Sequence, residues 1–177
     1  KAQSLHDYFR MLGFTPVARH RTRKITNYRQ GDCTFLINED PDSFAARFAA
    51  QHGPSACGFA IRVNKLAEWA RMQALKNGAE SFDAADELTK AVAAPVIKGI
   101  GGCMLYIVDR YDAKGTIHDP DWVWLPGVDQ MPKGFGLTFI DHLTHNLYAG
   151  NMEKWAEYYE RLFNFREIRY FDIKGAK

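Results

Sequence analysis

Leu5-His6-Asp7-Tyr8-Phe9-Arg10-Met11-Leu12-Gly13-Phe14 and Trp155-Ala156-Glu157-Tyr158-Tyr159-Glu160-Arg161-Leu162-Phe163-Asn164-Phe165 spell one pattern twice. In each, large apolar residues recur at i, i+3, i+4 and i+7, the stripe that an α-helix presents to a core. In each, a strand-like run follows at once. Any amphipathic helix shows this spacing, so the order of elements has to carry the argument. A further stretch repeats that order: Ala56 to Val63 reads as a strand and Lys65 to Ala79 as a helix with a weaker stripe. Repeats decide architecture. Strand, helix and strands in recurring order make this an α+β chain of repeated βαβββ modules, with mixed curved sheets and helices packed outside. The first copy lacks its first strand, and the last holds a strand, a helix and one further strand. Two domains are expected: 1–131, with the first two modules, and 132–177, the beginning of another.

Turn chemistry divides the rest. Strands are predicted for Thr15 to Arg23, Ile25 to Gln30 and Cys33 to Asn38, the last two joined at Gln30-Gly31-Asp32. Asp40-Pro41-Asp42 opens a helix to about Gln51, and His52-Gly53-Pro54-Ser55 breaks the chain. Asn64 is a candidate N-cap for the helix that Asn77-Gly78 ends. Ser81 to Ala94 reads as loop with a little strand. Val96 to Ile100, Met104 to Arg110 and Trp122 to Leu125 read as strands, Tyr111 to His118 as turn-rich, and Pro126 to Gly136 as a linker.

Composition bounds the function. Hydrophobic residues make up 46%, charged residues 25% and aromatics 14%, an ordinary globular mixture with ample core material. A net charge of +2 implies neither a nucleic-acid nor a membrane partner. The cysteines Cys33, Cys57 and Cys103 lie far apart in apolar stretches and read as small buried hydrophobes in a reducing compartment. No signal peptide is visible, and a chain opening at Lys1 just before a helical pattern is expected to be cut there.

The segment Leu137 to Tyr148 is rich in β-branched and aromatic residues and is predicted as a strand. Alternation puts Leu137, Phe139, Asp141, Leu143, His145 and Leu147 on one face and Thr138, Ile140, His142, Thr144, Asn146 and Tyr148 on the other. The second face is mostly polar, which suits a strand lining a ligand or metal cup. His142 and His145 then cannot share one metal, and His142 is the better candidate. By residue type alone, a single strand histidine is more often a half-buried hydrogen-bonded residue than a ligand. No HxH, HExxH or CxxC tips that balance.

Resemblance does. Ile140-Asp141-His142-Leu143-Thr144-His145-Asn146, Leu162-Phe163-Asn164-Phe165-Arg166-Glu167 and Tyr170-Phe171-Asp172-Ile173-Lys174-Gly175 resemble the bacterial 4-hydroxyphenylpyruvate dioxygenase family. So do Tyr28-Arg29-Gln30-Gly31, His52-Gly53-Pro54-Ser55 and Pro95-Val96-Ile97-Lys98-Gly99-Ile100-Gly101-Gly102. The resemblance runs almost end to end, and covers the first half of such an enzyme. It implies the vicinal-oxygen-chelate (glyoxalase-like) fold, whose module is βαβββ, and a non-catalytic N-terminal domain. It implies Fe(II) held by two histidines and a glutamate, with His142 the first histidine and the other two ligands beyond Lys177. Thr144 would line the substrate pocket. The implied reaction turns 4-hydroxyphenylpyruvate, a 2-oxo acid, and O2 into homogentisate and CO2, in tyrosine and phenylalanine breakdown. The implied enzyme is cytoplasmic and a homo-oligomer, a dimer or tetramer, while the 177 residues alone would be inactive. A 4-hydroxymandelate synthase, or a metal-free binding module of the same fold, are the competing readings.

Other candidates are weaker. Lys98-Gly99-Ile100-Gly101-Gly102 lacks a phosphate-loop pattern and reads as a strand bend or hairpin. Arg19, Arg21 and Arg23 share one strand face as a basic stripe, read as a solvated face or subunit contact ahead of a phosphate site. His6 and His118 have no partner that spacing identifies, and no serine–histidine–acid set stands out.

Overall fold

The computed structural model describes residues 2–111 and 121–171. The first unit is a helix, α1 (Ala2–Met11), followed by β1 (Thr15–His20), β2 (Ile25–Gln30) and β3 (Cys33–Asn38). A helix α2 (Phe44–His52) leads to β4 (Gly58–Arg62), α3 (Ala67–Lys76), a short α4 (Ala84–Leu88) and β5 (Val96–Lys98). After a 3₁₀ turn at Ile100–Gly102 come β6 (Met104–Val108), β7 (Trp122–Trp124) and α5 (Met152–Phe163).

Two sheets stack. One has four strands in the order β3-β2-β1-β7, and the other has three in the order β4-β6-β5. The four-stranded sheet is antiparallel at every pairing. In the other, β4 and β6 run parallel, so the chain must cross over between them, and α3 is that crossover. The unit β4–α3–β5–β6–β7 is a complete βαβββ module, and α1–β1–β2–β3 is the copy without its first strand. The copies interlock: β7 pairs with β1 through Ala18 and Trp124, Arg19 and Val123, His20 and Trp122.

Packing explains the arrangement. Val17, Ile25 and Trp122 meet Val96, Met104, Tyr106 and Val108 between the sheets, with Phe82 and Val92 at the margin. Ile97, Leu105 and Ile107 face Ala67 and Ala74 of α3 and Tyr159, Leu162 and Phe163 of α5. On the far side, Leu5 and Phe9 of α1 cover Phe14, Tyr28, Cys33 and Ile37. The layers therefore run helix, sheet, sheet, helices. Each Val, Leu, Ile, Phe or Met side chain fully buried in these clusters contributes roughly 1.5–3 kcal/mol.

Several expectations need correction. The α1 stripe is half used: Leu5 and Phe9 pack, whereas Tyr8 is 54% and Leu12 38% exposed. α2 starts at Phe44, capped by Ser43, whose Oγ accepts from Ala46 N at 3.1 Å. Asn64 does not cap α3; Asp109 at the end of β6 accepts from Ala67 N at 2.7 Å. Ser81 to Ala94 contains α4, capped by Asp83, which accepts from Asp86 N at 2.8 Å. The segments 137–148 and 165–171 are not strands. A strand needs a ladder partner, and no neighbouring strand lies against either among the described residues. The last module is thus represented by α5 alone. Residue Ile173 and the turn-rich stretch 112–118 lie outside the described residues.

His6 also has partners. Its Nδ1 lies 2.7 Å from the Tyr28 hydroxyl and its Nε2 3.0 Å from Glu39 Oε2, while Lys24 Nζ lies 3.1 Å from Glu39 Oε1. Tyr28 is fully buried, so this cluster pins α1 to the sheet. Burial disfavours the Glu39 carboxylate, but hydrogen bonds from His6 and Lys24, with the Lys24 charge, outweigh it and hold the carboxyl below its ordinary range. His6→Ala strands the buried Tyr28 hydroxyl, and we expect a loss of about 1–3 kcal/mol in urea unfolding, against no measurable loss for exposed Glu157→Ala. A carboxyl held low by the fold stabilises above the ordinary carboxylate range, and that contribution disappears as pH falls through the folded value. Glu39→Gln should therefore flatten the acid limb of the stability–pH curve below about pH 4.3.

Candidate functional site

The polar segment carrying His142 is tied to the body at both ends. At its start, the turn between β2 and β3 donates twice: Gly31 N to Pro132 O at 2.9 Å and Asp32 N to Thr138 O at 2.7 Å. Gln30, fully buried, accepts at Oε1 from Phe135 N at 2.6 Å and Leu137 N at 3.3 Å. Its Nε2 donates to Leu12 O at 2.9 Å. The linker reading of Pro126 to Gly136 missed this attachment. At the segment's end, α5 docks on the body. Tyr158 donates its hydroxyl proton to the Lys98 carbonyl, and Arg161 Nε donates to Asn77 O at 2.8 Å. Asn164, in the left-handed conformation at φ 56°, closes the helix.

Between these ends, strand alternation is absent and the side chains arrange differently from expectation. His142 and Asp141 do not point apart: Nδ1 lies 2.7 Å from Asp141 Oδ2, and the side chains are 76% and 79% exposed. Thr144 is exposed beside them. His145 is half-buried, its ring 5.6 Å from Phe59 and 6.3 Å from Tyr159. A carboxylate on one imidazole nitrogen orients the ring and leaves the other free, a common support for a metal-ligating histidine. The donor chemistry at His142 thus fits one ligand of an iron site. It does not make a whole site: no group of three His, Cys, Asp or Glu among the described residues could hold a metal.

The remaining candidates have structural employment. Arg23 leaves the basic stripe, reaching Asp40 at 2.5 Å and the Lys90 carbonyl at 3.3 Å. A depression of about 390 Å³ is lined by Glu68, Arg71, Glu87 and Lys90, but these charges pair with one another at 3.1–3.5 Å. A second, of about 650 Å³, is lined by Asn164, Phe165, Arg166 and Ile168 and not by His142. Cys33 and Cys103 are buried, Cys57 is half-buried, and all three are free. Burial, with the nearby Cys57, pushes the Cys103 thiol up to about 11, and burial also raises Cys57. These are protonated, poorly nucleophilic thiols. The space between the sheets, where a cup would lie, is filled by the core side chains described above. No described helix is long and apolar enough to cross a membrane.

The family model described as hydroxyphenylpyruvate dioxygenase, HPPD, N-terminal, matches residues 1–123. A 4-hydroxyphenylpyruvate dioxygenase of Pseudomonas sp. (strain P.J. 874) is 50% identical over 172 residues, covering 97% of this chain and 48% of that protein. The chain therefore spans about half the length of the curated relatives it matches. Among solved structures, a xylose isomerase-like TIM barrel/4-hydroxyphenylpyruvate dioxygenase fusion protein superposes with a TM-score of 0.78 at 29% identity, over 93% of this chain and 25% of that one. A mutant 4-hydroxymandelate synthase from Streptomyces coelicolor superposes with a TM-score of 0.69 at 22% identity, over 95% of this chain and 49% of that one. That second likeness shows the fold.

The docking of α5 can be checked directly. Tyr158→Phe removes the hydroxyl that meets Lys98 and should cost about 1 kcal/mol. Leu162→Ala should cost about 1–3 kcal/mol, less than a fully buried leucine. Both should appear as lowered urea midpoints with unchanged slopes.

Proposed function

The chain belongs to the hydroxyphenylpyruvate dioxygenase family, and from that premise we propose that it forms the substrate-free N-terminal body and the beginning of the catalytic domain of an Fe(II)-dependent oxygenase. Residues 1–131 are the non-catalytic domain and 132–177 the start of the catalytic one. The proposed reaction joins 4-hydroxyphenylpyruvate and O2 to give homogentisate and CO2, in tyrosine and phenylalanine catabolism. The observation that carries this reading is the identity with a 4-hydroxyphenylpyruvate dioxygenase across 97% of the chain. That stretch extends past residue 123, where the family match ends, and takes in His142.

In this reading His142 is the first of two histidine ligands, and its set is completed by a second imidazole and a carboxylate from sequence outside these 177 residues. Iron held there would supply a place for the 2-oxo acid and O2 to meet and the electrons that activate oxygen. What the residues in hand do is narrower. Asp141 takes the Nδ1 side of His142, keeps the ring in the tautomer that frees Nε2, and balances positive charge. Thr144, a short polar side chain two residues on, lines the substrate pocket. The body contributes a rigid frame without a metal site of its own, consistent with β4, which has no histidine where the catalytic module has His142. The working enzyme is proposed to be a cytoplasmic homo-oligomer, with no nucleic-acid or membrane partner.

Two outcomes test the reading. The 177-residue chain, dialysed against Fe(II) under nitrogen and assayed for metal, is expected to retain less than about a tenth of an equivalent, since a single imidazole holds ferrous iron poorly. It is expected to form no homogentisate. In a chain extended to the family's full length, His142→Ala should lose most bound iron and nearly all turnover, while His145→Ala keeps its iron. The reverse order would sink the assignment.

A further inference from the structure

We infer that Gln30, with the glycine turn that follows it, is the positioning residue for the His142 segment, so that the N-terminal sheet dictates where the proposed ligand lies. The bearing on His142 rests on the iron reading above; the anchoring itself does not. The strap 131–138 spans the end of the stretch read in sequence as a linker (Pro126 to Gly136) and the first two residues of the expected strand, yet four backbone groups within it are bonded to one corner of the body. Pro132 O and Thr138 O accept from Gly31 N and Asp32 N. Phe135 N and Leu137 N donate to the single oxygen Gln30 Oε1. Gln30 is fully buried, and its amide nitrogen is committed to Leu12 O. A buried amide is costly to leave unpaired, so the side chain holds the strap in one place rather than several.

Sterics sharpen the fit. A Cβ on Gly31, which has φ +54°, would stand 2.4 Å from Leu137 O and 2.9 Å from Thr138 Cα. A Cβ on Gly134, at φ +52°, would stand 2.4 Å from Gly13 O and 2.5 Å from Gln30 Cδ. At Gly31 the strap backbone meets the turn directly, and at Gly134 it meets Gly13 O and the Gln30 side chain, closer than a Cβ permits at either point. Thr138 is the last anchored residue, four before His142. At about 3.3 Å per extended residue that is a lever of about 13 Å, short enough to carry the anchor's order to the imidazole. A metal ligand has to be held to about 0.5 Å, and this anchor supplies the upstream restraint.

The experiment uses the 177-residue chain. Trypsin can cut after Lys133, inside the strap. Gln30→Leu keeps the bulk and removes both bonding ends; Gly134→Ala drives the strap off Gln30 and substitutes no residue of either sheet, so it reports even where Gln30→Leu unsettles the fold. Each variant is expected to be cut after Lys133 at least about tenfold faster than the parent, following the larger open population, with cutting after Arg62 and Lys98 unchanged. Spin labels at His142→Cys and Lys76→Cys, in a Cys57→Ser background, should give a distance distribution at least twice as broad in Gly134→Ala as in the parent. Strap cleavage within twofold of the parent in Gly134→Ala overturns the proposal. So does faster cleavage with an unchanged distance distribution, because the strap would then not govern residue 142. Neither readout needs iron, so an iron assignment that fails leaves both standing, and an anchor that fails leaves the iron assignment to its own test.

Discussion

Leu105 and Ile107 on one face of β6, and Met104, Tyr106 and Val108 on the other, are all buried, and a strand with no solvent side needs a layer on each face. That constraint shapes the molecule. One layer is the four-stranded sheet, and the other is α3 with α5. Because β4 lies parallel to β6, the chain must return over the outer face, and the returning helix has to come close. Ala67 and Ala74, both buried, let it. Burial also obliges each polar group on β6 to find a partner. The Tyr106 hydroxyl accepts from Ala91 N at 2.9 Å, and its burial pushes the phenol up to about 12.

What the sequence made legible follows the range of the interactions. Strands β2 and β3 fall where alternation and the Gln30-Gly31-Asp32 turn put them, because a hairpin is settled by its own residues. The helices were legible for the same reason, although only Leu5 and Phe9 of the α1 stripe pack while Tyr8 and Leu12 stay exposed. The start of α3 was not, because its cap, Asp109, lies 42 positions downstream and Asn64 is the nearer, idle candidate. The segment 137–148 has strand composition but no strand neighbour, and composition records a preference for a pleated, half-buried surface rather than the presence of one.

The candidate site divides the same way. His142 could be singled out from the face it was expected to share, and more firmly from the resemblance of the motif around it. Its contact with Asp141 could not, because alternation forbids it in a regular strand. Gln30 was invisible as a structural hub. It was legible as part of a motif, but its hydrogen bonds reach residues 105 and 107 positions away, and nothing in its own neighbourhood announces them.

A body whose inter-sheet space is filled by core side chains has no room there for a ligand. What such a body can contribute is geometry. The β2–β3 corner is packed from the other side, where Tyr28 and Cys33 lie under Leu5 and Phe9 of α1, and a close-packed interior transmits displacement rather than absorbing it. Rigidity at that corner is what gives a buried glutamine and two glycines something firm to hold the strap against. Packing the corner and anchoring the strap therefore work together: the first supplies the stiffness against which the second holds the start of the segment that carries His142.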